Sequence, residues 1–167
     1  LLDGYDLSTT TCCKYEGDVR LYNGKGGIIQ YTTGTTDALM LIIIDSFQQS
    51  FVDFEIKNVS TDSSISNFGN GPSLGGGEYL SDILSFKPHG QTFSPSAIIR
   101  MYFDSIDLGD LGDNSVVFLR LKTNDLSGLY EWEVIDNNPT EYGGYYYFDK
   151  ITSSFTSNYN TYAVALI

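Results

Sequence analysis

The chain has 167 residues, and its 9 lysines and arginines against 21 aspartates and glutamates give a formal net charge of −12. This length suits one domain with a sizeable core, and 41% hydrophobic against 18% charged residues excludes intrinsic disorder. The negative charge repels nucleic-acid phosphates and anionic lipid headgroups, so nucleic acid is not expected as a partner. The longest apolar run, Ala38–Ile44, is far shorter than the ~20 residues of a membrane span, so none is expected.

Residues 1–16 are predicted to form an N-terminal extension ahead of the domain. Leu1, Tyr5 and Leu7 fall on one face of an alternating pattern, which is typical of an extended segment. The chain opens without a signal-peptide pattern, which fits either a processed secreted protein or an excised fragment. Because the segment is extended and has no obvious partner, it is a candidate donor strand that completes the sheet of a neighbouring molecule.

The two cysteines, Cys12 and Cys13, are adjacent and follow this segment directly. Adjacent cysteines cannot close a long loop, so the usual stabilising disulfide within one chain is ruled out. Three alternatives remain open: a strained vicinal disulfide, two buried thiols, or an intersubunit disulfide.

From residue 17 to residue 167 the chain is predicted to be a single antiparallel β-sandwich domain. Val52, Phe54 and Ile56 alternate with charged residues, and the same period of two recurs along the chain, with turn residues between the segments. No segment shows helical spacing over three turns, so an all-β sandwich is expected. The predicted strands are Val19–Tyr22, Ile28–Thr32, Leu39–Ile44, Val52–Ile56, Tyr79–Phe86, Ala97–Phe103, Val117–Leu121, Tyr130–Val134, Tyr145–Phe148 and Thr161–Leu166.

A long loop rich in serine, glycine and asparagine is predicted at 59–78. Compact domains rarely carry a loop of this length without a purpose. Just before it, Asn58-Val59-Ser60 is an N-glycosylation sequon, which is meaningful only if the protein is secreted.

An acidic loop gives the best candidate for a metal site. Asp107, Asp110, Asp113 and Asn114 lie close together in sequence with two glycines between them. Calcium takes six to eight oxygen ligands, which these side chains and backbone carbonyls can supply, although the spacing is not that of an EF-hand. The alternative is a solvated turn that binds no metal.

No catalytic residues are predicted. Gly71–Gly75 matches the G-x-S-x-G pattern of a nucleophile elbow, but no helix follows it, and His89 is the only histidine. Glu131 and Glu133 flank Trp132, an arrangement that glycosidases can use. The simpler interpretation is a solvated strand face, and we expect the protein not to be an enzyme.

The run Tyr145-Tyr146-Tyr147 could form a binding surface for sugars. Tyrosine rings stack on sugars, but consecutive strand residues point to opposite faces, so at most two of the three share a surface. Core packing combined with a solvated edge is the alternative explanation.

The C-terminal part of the chain resembles a β-sandwich domain of secreted archaeal and bacterial surface proteins, distantly like the sandwich of ankyrins, netrin receptors and zonula occludens proteins. Phe86–Pro95 reads close to the family's x-P-x-G-x-T-F-x-x-P, and Phe155-Thr156 with Thr161–Val164 resembles its closing His-Phe-Ser-x-Tyr-Ala-Val. Ser154 replaces that histidine, and four extra residues separate the two parts of the closing motif. The resemblance runs from Ala38 to the end. It implies a secreted sandwich without catalytic residues and favours a structural role for the acidic turn.

These observations predict a non-enzymatic protein of the cell surface. The first hypothesis is a structural subunit of a filament, pilus or surface layer that assembles with copies of itself, or with other surface proteins, by β-strand addition. The alternative is an extracellular binding module, either an adhesin or a carbohydrate-binding domain, which calcium would stabilise.

Overall fold

The structure is a computed structural model, and it describes residues 14–22, 25–32, 38–60, 74, 77–103, 115–123, 126–127, 130–157 and 160–167. All regular secondary structure within these ranges is β-strand. The strands in chain order are β1 (Lys14–Glu16), β2 (Val19–Tyr22), β3 (Lys25–Thr32), β4 (Ala38–Ser46), β5 (Phe51–Asn58), β6 (Glu78–Tyr79), β7 (Leu84–Lys87), β8 (Thr92–Phe103), β9 (Val116–Thr123), β10 (Tyr130–Asp136), β11 (Thr140–Tyr142), β12 (Tyr145–Ser154) and β13 (Thr161–Leu166).

The strands form two sheets that pack face to face. The first sheet has the order β1-β3-β4-β8-β12-β11, and the second has the order β10-β9-β13-β7-β5-β2, with β6 also paired to β13. The pairings are antiparallel apart from β1 with β3, which is parallel. The prediction of an all-β sandwich is confirmed.

The core lies between the sheets because alternate side chains of each strand point inward. In β5, for example, Val52, Phe54 and Ile56 are buried while the residues between them are not. Aromatic rings join the two layers, as where Phe118 of the second sheet stacks on Phe148 of the first at 5.5 Å between centroids. Burying each such side chain fully contributes about 1.5–3 kcal/mol.

The strand predicted over Tyr79–Phe86 is wrong, because the structure divides that stretch into β6 and β7. Between them the Ser81 hydroxyl accepts a hydrogen bond from the backbone N–H of Val164 at 2.8 Å. A side chain therefore replaces the backbone ladder at this point, which alternation of apolar residues does not reveal.

The outer face of the second sheet is covered by residues near the end of the predicted loop. Tyr79 packs on Trp132 at 6.3 Å between ring centroids, and the Trp132 indole N–H donates to the Tyr79 hydroxyl at 2.8 Å. Leu74 belongs to the same cluster, with Val117 and Leu119 beneath it. Part of the 59–78 stretch thus has a structural role.

At two opposite sides of the sandwich, the chain passes from one sheet to the other. β1 belongs to the first sheet, β2 to the second, and β3 to the first again. β10 and β11 lie on different sheets at the opposite side, joined by 137–139. Among the described residues, none forms a helix long and apolar enough to cross a membrane.

Candidate functional site

Most of the predicted site residues lie outside the described residues. This applies to the assembly residues Leu1, Tyr5 and Leu7, to Cys12 and Cys13, and to the proposed calcium ligands Asp107, Asp110, Asp113 and Asn114. Their roles remain predictions. Within the described ranges, no group of three metal-ligating side chains could hold a metal ion.

The N-terminal segment joins the domain at the edge of the first sheet. Lys14–Glu16, the last residues of the predicted extension, form β1 and pair with Ile28–Gln30 of β3. The pairing closes at its C-terminal end, where the Gly17 N–H donates to the Gln30 carbonyl at 2.8 Å and Gly17 adopts a φ of 68°. The Glu16 carboxylate then accepts the backbone N–H of Thr32 at 3.0 Å. Beyond Gln30, a side chain therefore continues the pairing that the β1 backbone begins.

The edge at β10 differs from the β1 edge because two of its core-facing side chains, Glu131 and Glu133, are charged. Glu133 accepts from Arg120 at 2.9 Å, and Lys122 lies 3.3 Å from Glu131. Arg120 lies opposite Tyr162, a core residue, so this row of charges points inward. Inward-pointing charges and bulges are ways in which natural sheets prevent unwanted strand pairing, and β10 also has a register shift after Val134.

The carboxylates of Glu131 and Glu133 are thus on one face, as predicted. The interpretation of that face as a solvated outer face is wrong, because it is the core-facing side and each carboxylate is paired with a cation from β9. The hydrogen bond from Arg120 holds the pKa of Glu133 below its usual range, and burial opposes this only partly. A general acid of a glycosidase needs a raised pKa instead. The Trp132 ring points to the other face of the sheet, where it packs on Tyr79.

Asn58 is exposed at the end of β5, and its side-chain oxygen accepts the Ser60 N–H at 2.9 Å. The Ser60 hydroxyl accepts the Ile83 N–H at 2.9 Å. The sequon therefore forms a hydrogen-bonded turn, and glycosylation of Asn58 stays a prediction.

The tyrosine run is divided between two faces, as strand geometry requires. Tyr146 points to the core and packs on Phe103 at 5.9 Å, whereas Tyr145 and Tyr147 point outward and both contact Tyr102, at 6.1 and 5.4 Å. Tyr142 lies directly opposite Tyr145 in the β11–β12 hairpin and so shares the outer face. We call Tyr102, Tyr142, Tyr145 and Tyr147 the tyrosine face.

The tyrosine face is graded from buried to exposed. Tyr147 is 2% exposed, while Tyr145 and Tyr142 are 56% and 73% exposed. The exposed rings, Tyr142 and Tyr145, flank the Gly143-Gly144 turn of the β11–β12 hairpin, whereas the buried Tyr147 lies two residues further along β12. The rings of Tyr142 and Tyr145 are therefore exposed to solvent, on a base formed by the more buried rings of Tyr102 and Tyr147.

A buried ion pair anchors this base. The Arg100 guanidinium, on a residue that is 5% exposed, lies 3.9 Å from the centre of the Tyr147 ring. It donates two hydrogen bonds to the Asp149 carboxylate, at 2.7 and 2.8 Å. Burial opposes the charged form, but the hydrogen bonds from Arg100 to Asp149 and to the Tyr102 hydroxyl outweigh it and raise the pKa of Arg100.

The sequence pattern singles out the run Tyr145–Tyr147 but not Tyr102, Tyr142 or the Arg100–Asp149 pair. The alternation of Ile99, Met101 and Phe103 already places Tyr102 and Arg100 on the opposite face of their strand. The missing information was the register, which sets Arg100 opposite Asp149 across two strands far apart in sequence.

Comparison of the chain with models of known protein families gives no match, and a search of curated proteins finds no matching sequence. The resemblance described above remains a prediction.

Proposed function

We propose that the protein is a non-enzymatic structural subunit of the cell surface that assembles with its own copies by β-strand addition. One observation carries the proposal: the N-terminal segment enters the domain through β1, a short edge strand of the first sheet. A segment that leaves along a sheet edge is already placed in the plane where a neighbour's sheet can accept it. The sandwich itself is of the kind that the surface-protein resemblance implies.

Within the described residues, β1 covers only part of this edge. β3 has eight residues, and β1 pairs with three of them. Among the described residues, no backbone pairs with Lys25–Gly27 on the side away from β4. The charged, bulged edge at β10 is the poorer acceptor, because a strand added there would lie beside the inward-facing ion pairs of Glu131 and Glu133.

The driving force for assembly comes from apolar side chains on one face of the segment. Leu1, Tyr5 and Leu7 would each contribute about 1.5–3 kcal/mol when fully buried in a neighbour. Cys12 and Cys13 follow at the point where the chain would cross between subunits, and we propose that they form an intersubunit disulfide. A secreted location follows from the same proposal, with Asn58 as the proposed glycan site.

The test removes Leu1–Thr11 and leaves β1 intact. The shortened chain is expected to give the same far-ultraviolet circular dichroism spectrum and melting curve as the full chain, and to sediment as a monomer at concentrations where the full chain assembles. Assembly by the shortened chain would overturn the proposal.

A matched pair of variants separates the apolar face from chain length. In one, Leu1, Tyr5 and Leu7 are each changed to Ser, which keeps the length but removes the apolar face; in the other, Asp6→Ser and Ser8→Ala alter the opposite face. Only the first is expected to abolish sedimentation of assembled material. Equal loss in both would contradict a docked strand with one buried face.

A further inference from the structure

We propose that the tyrosine face binds a neutral polysaccharide. This inference concerns the outer surface of the first sheet, and it does not depend on strand addition.

The exposed tyrosine rings have the chemistry that a sugar-binding surface needs. Tyr142 and Tyr145 each present a flat aromatic surface with a hydroxyl at its rim. The face of an aromatic ring is electron-rich, so it attracts the polarised C–H groups on the flat side of a pyranose, while the phenol hydroxyl exchanges hydrogen bonds with the sugar hydroxyls. Tyrosine thus matches a sugar, which is also apolar on one side and polar around its rim.

The base of the tyrosine face, Tyr102 and Tyr147, is rigid before any ligand binds. Tyr102 contacts Tyr145 and Tyr147 with interplanar angles of 76° and 61°, so each ring is held by the edge of its neighbour. Tyr147 is fixed in turn by the Arg100–Asp149 pair. A preorganised surface binds more tightly because little side-chain freedom is lost on binding.

The charge of this surface favours a neutral polymer as the ligand. On the outer surface of β8, β11 and β12, the charged side chains within the described residues are Arg100 and Asp149, which neutralise each other. The whole chain carries −12, so an anionic polymer would be repelled over a long range. A neutral polysaccharide needs no opposite charge, and its sugar rings can stack on the exposed rings of Tyr142 and Tyr145.

The experiment measures depletion of the full-length protein by insoluble cellulose, mannan and xylan, and its mobility in gels containing soluble β-glucan. We expect binding to at least one of these neutral polymers and no binding to alginate, an anionic one. Tyr142→Ala and Tyr145→Ala are each expected to weaken that binding about tenfold, the loss of one stacked ring. Their circular dichroism spectra are expected to match that of the unmodified chain, because both residues are exposed.

The matched control is Tyr22→Ala. Tyr22 is also an exposed strand tyrosine, 58% exposed, and its ring lies 6.4 Å from that of Phe51, but it belongs to the second sheet. Its loss is expected to leave binding unchanged. The proposal is overturned if no neutral polymer in the panel is bound, if Tyr22→Ala weakens binding as much as Tyr145→Ala, or if the tyrosine variants only disperse a self-associated protein.

Discussion

Arg20 and Arg100 make the same contacts in two different environments. Each lies directly opposite an aspartate on the neighbouring strand and donates two hydrogen bonds to it. Each also lies over an aromatic ring, at 4.2 Å from the centre of Phe51 for Arg20. The Arg20 side chain is 46% exposed, whereas that of Arg100 is 6% exposed. Comparison of the Arg20–Asp53 and Arg100–Asp149 pairs therefore measures the effect of burial on the strength of an ion pair.

We expect Asp149→Ala to lower the free energy of unfolding by about 3–5 kcal/mol, because it leaves the Arg100 charge buried without its partner. Asp53→Ala is expected to have little effect, since water solvates Arg20 when its partner is removed. Urea denaturation measures both. Equal losses in the two variants would show that burial does not set the strength of these pairs.

The pair formed by Glu133 and Arg120 makes the stability of the fold depend on pH. The hydrogen bond from Arg120 lowers the pKa of the folded Glu133 carboxyl below that of the unfolded chain. The pair therefore stabilises the fold above the unfolded pKa, and this contribution is lost as pH falls through the folded value. We expect Glu133→Gln to cost less than about 1 kcal/mol near neutral pH and progressively less as pH falls through the folded pKa.

Urea denaturation over this pH range tests the point, with Glu141→Gln, at an exposed position of β11, as the control. A difference between the unmodified chain and Glu133→Gln that persists unchanged into acid would be inconsistent with a lowered pKa.

At the scale of elements, alternation of apolar residues located most strands but not their partners. β2 has the predicted ends, and β5 and β9 are where they were predicted but extend one or two residues further at each end. β11 was missed because it is short and has no buried residue, so it carries no apolar pattern. Its position depends on the Gly143-Gly144 turn, with φ values of 61° and 87°, which brings Tyr142 opposite Tyr145. The sequence therefore indicates Tyr145 and Tyr147 of the tyrosine face, but not Tyr102 or Tyr142.

Gly26 tests how tightly β3 and β4 pair. A Cβ at this position would overlap the backbone carbonyl oxygens of Ile44 and Asp45 on β4, so one strand must move if a side chain is added. We expect Gly26→Ala to destabilise the fold by about 1–3 kcal/mol. The comparison is Gly143→Asn, where a Cβ meets open space and asparagine tolerates the left-handed backbone. Similar stabilities of the two variants, measured by urea denaturation, would contradict the close approach.

At the scale of the molecule, the sandwich has different sides suited to different tasks. The end of the N-terminal segment, β1, lies at one side, the β10 edge has inward-facing charges, and the tyrosine face is on the outside of the first sheet. Under the two proposals, assembly and polysaccharide binding use separate surfaces and would not compete. A subunit built in this way would both form a surface structure and attach it to a polymer.

Electron microscopy of the concentrated full-length protein tests strand addition most directly. We expect regular fibres from the full chain and only single particles from the chain that lacks Leu1–Thr11. Single particles from the full chain at high concentration, or fibres from the shortened one, would contradict it.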